Sequence, residues 1–270
     1  MAKIWLGGAA LLLVAYHSLW QPATWVYNDR SLIKPEVTTL FTRRILDKAT
    51  WAATDDPRRA RLMNLLFHGM NTALVALIAN RLSFGAAGAL MTVACAIHPI
   101  HVESVAYAGG RAELLAATGV LIAVLAALTG SWIWAVAGAV LGFAAKESAV
   151  VVLALVPLVR WATGRSWRIP LGVCTAVAVG AVWTLGGPTT VVNVEMHSGQ
   201  VSVVDWLLVQ SAAAVRLIML MVVPIRQTVD FDYDVVSMSL RVLSVSALMG
   251  MAIFTLTQRS VLSLGVAWTL

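Results

Sequence analysis

Unbroken runs of Ala, Val, Leu and Gly fill most of this chain, and short polar connections separate them. Apolar residues make up 60% of the 270 residues and charged residues only 12%, about half the roughly 25% that soluble proteins carry. A transmembrane β-barrel would instead alternate polar and apolar positions. At roughly 20 residues per crossing, the chain has room for about eight to ten helices. The sequence therefore predicts an all-α fold, a polytopic transmembrane helical bundle.

The order of runs and connections predicts a single membrane domain over residues 1–270. A first span occupies 4–20, a polar outer loop follows over 21–61, and the remaining spans fill 62–270. Apolar residues at helical spacing over 37–53 predict an amphipathic helix that lies on the membrane surface. We expect the later spans near 62–80, 83–98, 112–128, 131–145, 148–160, 169–186, 205–223 and 238–257.

The formal net charge of +6 does not indicate a nucleic-acid partner, because most of the basic residues lie in loops between apolar runs. Counting crossings places the 21–61 loop, the 98–111 segment, the Lys146–Glu147 pair and the 187–203 loop on one side of the membrane. The 21–61 loop contains eight basic and five acidic residues. The positive-inside rule alone therefore does not decide the orientation.

The richest polar stretch lies between two predicted spans and reads HPIHVESVAYAGGRAELL, from His98 to Leu115. Polar side chains at membrane depth are costly and therefore mark functional sites. Two interpretations of His98, His101 and Glu103 stay open: ligands of a divalent cation, or a cluster that caps helices and bonds them together. Glu113 is either a catalytic carboxylate or a charge that complements the dipole of the helix it begins.

This stretch resembles the second outer-loop motif of the TMTC-like O-mannosyltransferases and their bacterial relatives, which are polytopic glycosyltransferases of the GT-C class. Three further motifs of that family have counterparts here in the same order. They are Tyr27-Asn28-Asp29 after the first span, RLMNLLFH with Asn64 and His68, and GFAAKES with Lys146. The resemblance covers approximately residues 20–160, so it predicts a GT-C-like membrane domain.

The resemblance implies an enzyme that moves a sugar from a polyprenyl-phosphate donor to an acceptor hydroxyl, with inversion at the anomeric carbon. A carboxylate must accept the hydroxyl proton, and Asp29 is the first candidate, with Glu113 second. The leaving phosphate needs positive charge or hydrogen-bond donors, for which Lys146 and Arg111 are the candidates. The motif residues expected to support this site are Asn64, His68, His98, His101 and Glu103. No cofactor is certain, and a divalent cation stays open.

The expected partners are the polyprenyl-phosphate-sugar donor, membrane lipids and further membrane subunits, and no nucleic acid. The expected location is the bacterial inner membrane, with the 21–61 loop on the periplasmic side. Asn28 stands where the family usually has the first of two acids, and Arg61 where it has a histidine. A catalytically inactive GT-C-like subunit of a larger membrane complex is therefore the first alternative. A transporter is the second, although the sequence shows no inverted repeat.

Overall fold

The computed structural model describes residues 10–11, 13–17, 46, 49–50, 56–166, 172, 175, 179, 203–224 and 237–257. Within these ranges all regular secondary structure is helical, so the all-α prediction is confirmed there. Several predictions fall outside the described residues. They are Asp29, most of the 4–20 span, most of the 21–61 loop with its helix at 37–53, and most of the 169–186 span.

The helices of the described residues follow the predicted runs closely. They are α1 (Pro57–Arg81), α2 (Gly85–Ala96), α3 (Val102–Ala106), α4 (Arg111–Thr129), α5 (Trp132–Ala145), α6 (Val152–Ala162), α7 (Val203–Val222) and α8 (Met238–Thr257). Short 3-10 helices occupy Pro99–His101, Ala108–Gly110 and Glu147–Val151. The chain divides into two compact units, Met1–Pro157 with Trp167–Ala178, and Leu158–Ser166 with Val179–Leu270. Helices α1 to α5 belong to the first unit, and α7 and α8 to the second.

Local sequence explains where these helices begin and end. The Asp56 side chain accepts a hydrogen bond of 2.9 Å from the backbone N–H of Arg58, and Pro57 occupies the first helical position of α1, where a missing N–H costs nothing. Helix α4 ends at Thr129 and is capped by Gly130, whose φ of 87° is left-handed. Pro99 holds His98 in an extended conformation, and α2 is bent by 45° relative to Pro99–Ala106.

Two of the described helices, α1 and α4, are long and apolar enough to cross a membrane. Helix α2 and the bent segment Pro99–Ala106 add a third crossing if the pair is one span. Helix α5 has 14 residues and α6 has 11, whereas a crossing needs roughly 20. The described residues therefore confirm candidate membrane spans, but they do not confirm the predicted number of about eight to ten.

Helix α1 has an inverted polarity relative to a helix of a soluble protein. Its buried face contains Asn64, His68 and Asn71, whereas Leu66 is 72% exposed and Leu77 is 50% exposed. In water, burial of apolar side chains and exposure of polar ones would favour the opposite arrangement. Helices of membrane bundles commonly turn polar side chains inward and apolar side chains toward lipid. The pattern of α1 thus favours an apolar surrounding.

Helices α4 and α5 pack with their backbones almost in contact. A Cβ atom added to Gly119 of α4 would lie 2.3 Å from the backbone nitrogen of Gly142 and 2.6 Å from the carbonyl oxygen of Gly138, both on α5. Small residues spaced by four positions allow this close approach between apolar helices. The crossing fixes the start of α4 beside the end of α5, and the candidate site lies there.

Candidate functional site

The candidate site is centred on an ion pair between Glu113, in the first turn of α4, and Lys146, the residue that follows α5. Lys146 Nζ donates a hydrogen bond to Glu113 Oε1. The Ser148 hydroxyl donates to the other oxygen, Oε2, over 3.3 Å. Both carboxylate oxygens therefore accept hydrogen bonds from the turn that follows α5.

The backbone at the end of α5 brings these donors to Glu113. Lys146 adopts an extended conformation, with φ −158° and ψ 150°, and its N–H donates to the Gly142 carbonyl over 2.9 Å. The chain then turns into the 3-10 helix Glu147–Val151. A Cβ on Gly142 would lie 2.9 Å from the Ala149 Cβ, so this turn packs tightly against the end of α5. The glycine therefore permits the turn that faces the start of α4.

A second carboxylate, Glu103 on α3, acts on this pair. It is exposed, and its charge is repelled by Glu113 and attracted by Lys146. The Lys146 side chain is 25% exposed and the Glu113 side chain 45% exposed, so a ligand can reach both. We call Glu103, Glu113, Lys146 and Ser148 the acid–lysine cluster. It offers carboxylates that can accept a proton and an ammonium group that can hold an anion.

Arg111 lies two residues before Glu113 on α4, but its side chain is fully buried. Its Nε donates to Asn64 Oδ1 over 3.3 Å, and its Nη2 donates to the Ala60 carbonyl over 3.4 Å. These bonds direct the guanidinium toward α1. The structure therefore gives Arg111 a packing role between α1 and α4, and its contact with a donor phosphate stays a prediction.

Asn64 is equally buried and holds the connection between α3 and α4. Its Nδ2 donates to the Tyr107 carbonyl over 2.9 Å and lies 3.4 Å from the Ser104 carbonyl and 3.5 Å from the Val105 carbonyl. One amide on α1 therefore satisfies backbone acceptors of a segment about forty residues later in the chain. Because Glu103 precedes this segment and Glu113 follows it, Asn64 helps to position both.

A second buried contact joins the same two helices. The Asn71 Nδ2 donates to the Leu114 carbonyl over 2.9 Å, and the Thr118 hydroxyl donates to Asn71 Oδ1 over 2.7 Å. We call Asn64, Arg111, Asn71 and Thr118 the buried amide network. Buried polar groups that find such partners fix one arrangement of packed helices. This network therefore determines how α4 sits on α1.

The histidines of the predicted motif form contacts of their own. His68 is buried, and its Nε2 donates to the Ala96 carbonyl over 2.7 Å. The rings of His68 and His101 have centroids 5.1 Å apart, and His101 Nε2 lies 3.7 Å from Cys95 Sγ. These contacts tie α1 to the end of α2 and to the bend that follows it.

His98 caps the bend after α2, because its Nδ1 accepts a hydrogen bond of 3.2 Å from the Ile100 N–H. Among the described residues, no group of three His, Cys, Asp or Glu side chains could hold a metal ion. His98, His101 and Glu103 are all described, so the geometry favours the capping interpretation over the cation-ligand interpretation for this stretch.

Of the predicted catalytic and phosphate-binding residues, the structure brings Glu113 and Lys146 into contact, and it bonds Arg111 to Asn64 and Ala60 of α1. Asp29 is outside the described residues. The sequence did not single out Ser148, although its position two residues after Lys146, in the same polar interruption, was a usable signal. No family model, curated protein or solved structure matches this chain. The resemblance to GT-C enzymes therefore depends on the sequence motifs alone.

Proposed function

We propose that this protein is an integral membrane glycosyltransferase that moves a sugar from a polyprenyl-phosphate donor to an acceptor hydroxyl, as protein O-mannosyltransferases do. The observation that carries the proposal is the accessible Glu113–Lys146 pair at the meeting ends of two apolar helices. Transfer needs a group that accepts the hydroxyl proton and a cation that stabilises the leaving phosphate. The pair offers both.

The surroundings of the pair support a membrane location. Helices α1 and α4 have the length and composition of membrane spans, and α1 buries Asn64, His68 and Asn71 while it exposes Leu66 and Leu77. We place the protein in the bacterial inner membrane as a polytopic GT-C-like bundle of about eight to ten helices. The 21–61 loop and the acid–lysine cluster lie on its periplasmic side, where a lipid-linked sugar and an acceptor protein meet.

In the proposed reaction the acceptor oxygen attacks the anomeric carbon and forms the new glycosidic bond. The bond from that carbon to the phosphate oxygen breaks, and the lipid phosphate leaves with the electron pair. The hydroxyl proton passes to a carboxylate, Asp29 or Glu113, and Lys146 stabilises the charge on the departing phosphate. Arg111 and Asn64 act from within the helix packing, because they hold the segments that bear Glu103 and Glu113.

The test is sugar transfer by the full-length chain in nanodiscs, with radiolabelled polyprenyl-phosphate mannose as the first donor and a Ser/Thr-rich peptide as the acceptor. If Glu113 is the base, Glu113→Gln should reduce transfer by about 10²-fold or more. If Asp29 is the base, Asp29→Asn shows that loss instead. Asp205→Asn is the matched control, because Asp205 is an exposed acid in the first turn of another apolar helix, α7. Wild-type transfer by both test variants contradicts this mechanism.

A second candidate function is the inactive membrane subunit. It is favoured by the fact that both oxygens of Glu113 already accept hydrogen bonds, from Lys146 and Ser148, as a purely structural salt bridge would arrange them. This alternative predicts co-purification with a larger complex in a fixed ratio. It also predicts unchanged glycans when the gene is deleted.

A further inference from the structure

We propose that Lys146 and Ser148 form a site for a phosphate ester, and that the Glu113 carboxylate occupies this site in the resting protein until a lipid phosphate displaces it. The inference deepens the proposed function and depends on it for the identity of the lipid. It adds Ser148 as a binding residue, and it adds an order of events, in which the donor binds before the acceptor can lose its proton.

The geometry of the donors carries the proposal. Lys146 Nζ and Ser148 Oγ lie on one turn and donate to the two different oxygens of a single carboxylate. A phosphate ester also presents non-bridging oxygens that share its negative charge to neighbouring donors, and charged hydrogen bonds to such oxygens are strong and directional. A pair of donors that fits a carboxylate in this way also fits a phosphate.

The neighbourhood of the turn favours a lipid over free phosphate. Val150 is 52% exposed and Val151 is 38% exposed on the same 3-10 helix that contains Ser148. Exposed valines next to two polar donors suit a ligand with an anionic head and an apolar chain. A lipid phosphate could therefore bind with its head at Lys146 and its first isoprene units along these valines.

Displacement of Glu113 has a consequence for the reaction. A phosphate that takes the bonds of Lys146 and Ser148 leaves the Glu113 carboxylate without its cation, while the negative charge of Glu103 remains nearby. A carboxylate in that position is available to accept the proton of an incoming hydroxyl. Donor binding would therefore switch Glu113 from an ion-pair partner to a base.

The experiment measures binding of a fluorescent short-chain polyprenyl phosphate, without sugar, to the full-length chain in nanodiscs of neutral phosphatidylcholine. Glu113→Gln removes the competing anion, so it should bind the probe about fivefold more tightly than wild type. Lys146→Met and Ser148→Ala remove one donor each and should bind it more weakly. Asp205→Asn should bind it as wild type does. Inorganic phosphate as a competitor tells whether the phosphate group suffices or the lipid chain is needed.

Two results overturn the proposal. In the first, Glu113→Gln binds the probe no more tightly than wild type does. In the second, the wild-type protein binds a polyprenol without phosphate as tightly as it binds the polyprenyl phosphate. If Glu113→Gln does not insert into nanodiscs, Ser148→Ala decides, since Ser148 is exposed and unchanged binding there contradicts the two-donor site. The proposed function fails separately. If wild-type protein transfers no sugar but Glu113→Gln binds the probe more tightly, the proposed glycosyltransferase activity is wrong, whereas the exchange of Glu113 for a lipid phosphate is confirmed.

Discussion

Arg111 and Glu113 are two residues apart at the start of α4, yet they belong to regions of opposite character. Side chains two residues apart on an α-helix point in directions that differ by roughly 200°. Arg111 is fully buried against α1 and bonds to Asn64, whereas Glu113 is 45% exposed and pairs with Lys146. At the start of α4, one face thus belongs to the buried amide network, which holds helices together. The other face belongs to the acid–lysine cluster, which a ligand can reach.

The two regions should also differ in how much a substitution changes the free energy of unfolding. A buried polar group that loses its partner keeps the full cost of having left water, whereas an exposed charge that loses its partner is solvated again. Substitutions in the buried amide network should therefore change stability strongly. Substitutions in the acid–lysine cluster should change stability little and activity greatly.

Asn64→Leu should be the most destabilising change. It removes the acceptor of Arg111 Nε and the donor to the Tyr107 carbonyl, so the free energy of unfolding should fall by about 3–5 kcal/mol. Thermal denaturation of the purified protein in detergent measures this loss. Asn80→Leu is the matched control, because Asn80 lies exposed on the same helix, and it should change stability by less than about 0.5 kcal/mol. Similar losses for both variants would contradict the structural role of Asn64.

Gly119→Ala should have the next largest effect. The new Cβ would lie 2.3 Å from the Gly142 nitrogen, so α4 and α5 must move apart, at a cost of about 1–3 kcal/mol. Sugar transfer should fall as well, because the same movement separates Glu113 from Lys146. Gly69→Ala is the control, since apart from the neighbouring backbone of its own helix nothing lies within 4 Å of its new Cβ. It should retain or slightly gain stability, because alanine favours a helix over glycine, and an equal loss there would show that the loss at Gly119 does not come from the contact between α4 and α5.

Thr118→Val tests the second contact of the buried amide network. It removes the hydroxyl that donates to Asn71 Oδ1, which should reduce the free energy of unfolding by about 1 kcal/mol. Thr129→Val is the comparison, because the described bonds of the Thr129 hydroxyl go only to carbonyls of its own helix. Equal thermal stability of Thr118→Val and wild type would remove Thr118 from the network.

Lys146→Met should have the smallest effect on stability. The ion pair is half-exposed, and such pairs contribute about 0–1 kcal/mol, so the denaturation temperature should hardly change while sugar transfer is lost. Arg81→Met replaces an exposed basic residue at the end of α1 and should change neither quantity. A loss of stability as large as that of Asn64→Leu would place Lys146 in the buried framework.

The sequence predicts most helix positions because they depend on local features. The spans expected at 62–80, 112–128 and 238–257 correspond to Pro57–Arg81, Arg111–Thr129 and Met238–Thr257. Apolar runs with caps or glycines at their ends determine such bounds. The number of membrane crossings is harder to predict from the sequence. An apolar run of 14 residues such as Trp132–Ala145 resembles a span, but a helix of that length is too short to cross a membrane.

Part of the candidate site could also be predicted from the sequence, because it depends on the positions of the apolar runs. The position of Lys146 after one apolar run and of Glu113 at the start of another predicts that they share a side of the membrane, and the structure places them in contact. The burial of Arg111 could not be foreseen, because it depends on Asn64 of α1 and hence on long-range packing. Charge alone does not tell a buried arginine from one that binds phosphate.

The most direct test of this account measures sugar transfer and thermal stability on the same reconstituted preparations of wild type, Lys146→Met and Asn64→Leu. The account predicts a Lys146→Met protein as stable as wild type that transfers no sugar, and an Asn64→Leu protein whose main defect is its stability. Lys146→Met protein that transfers sugar at the wild-type rate would contradict the central claim that the exposed end of α4 and α5 carries the chemistry.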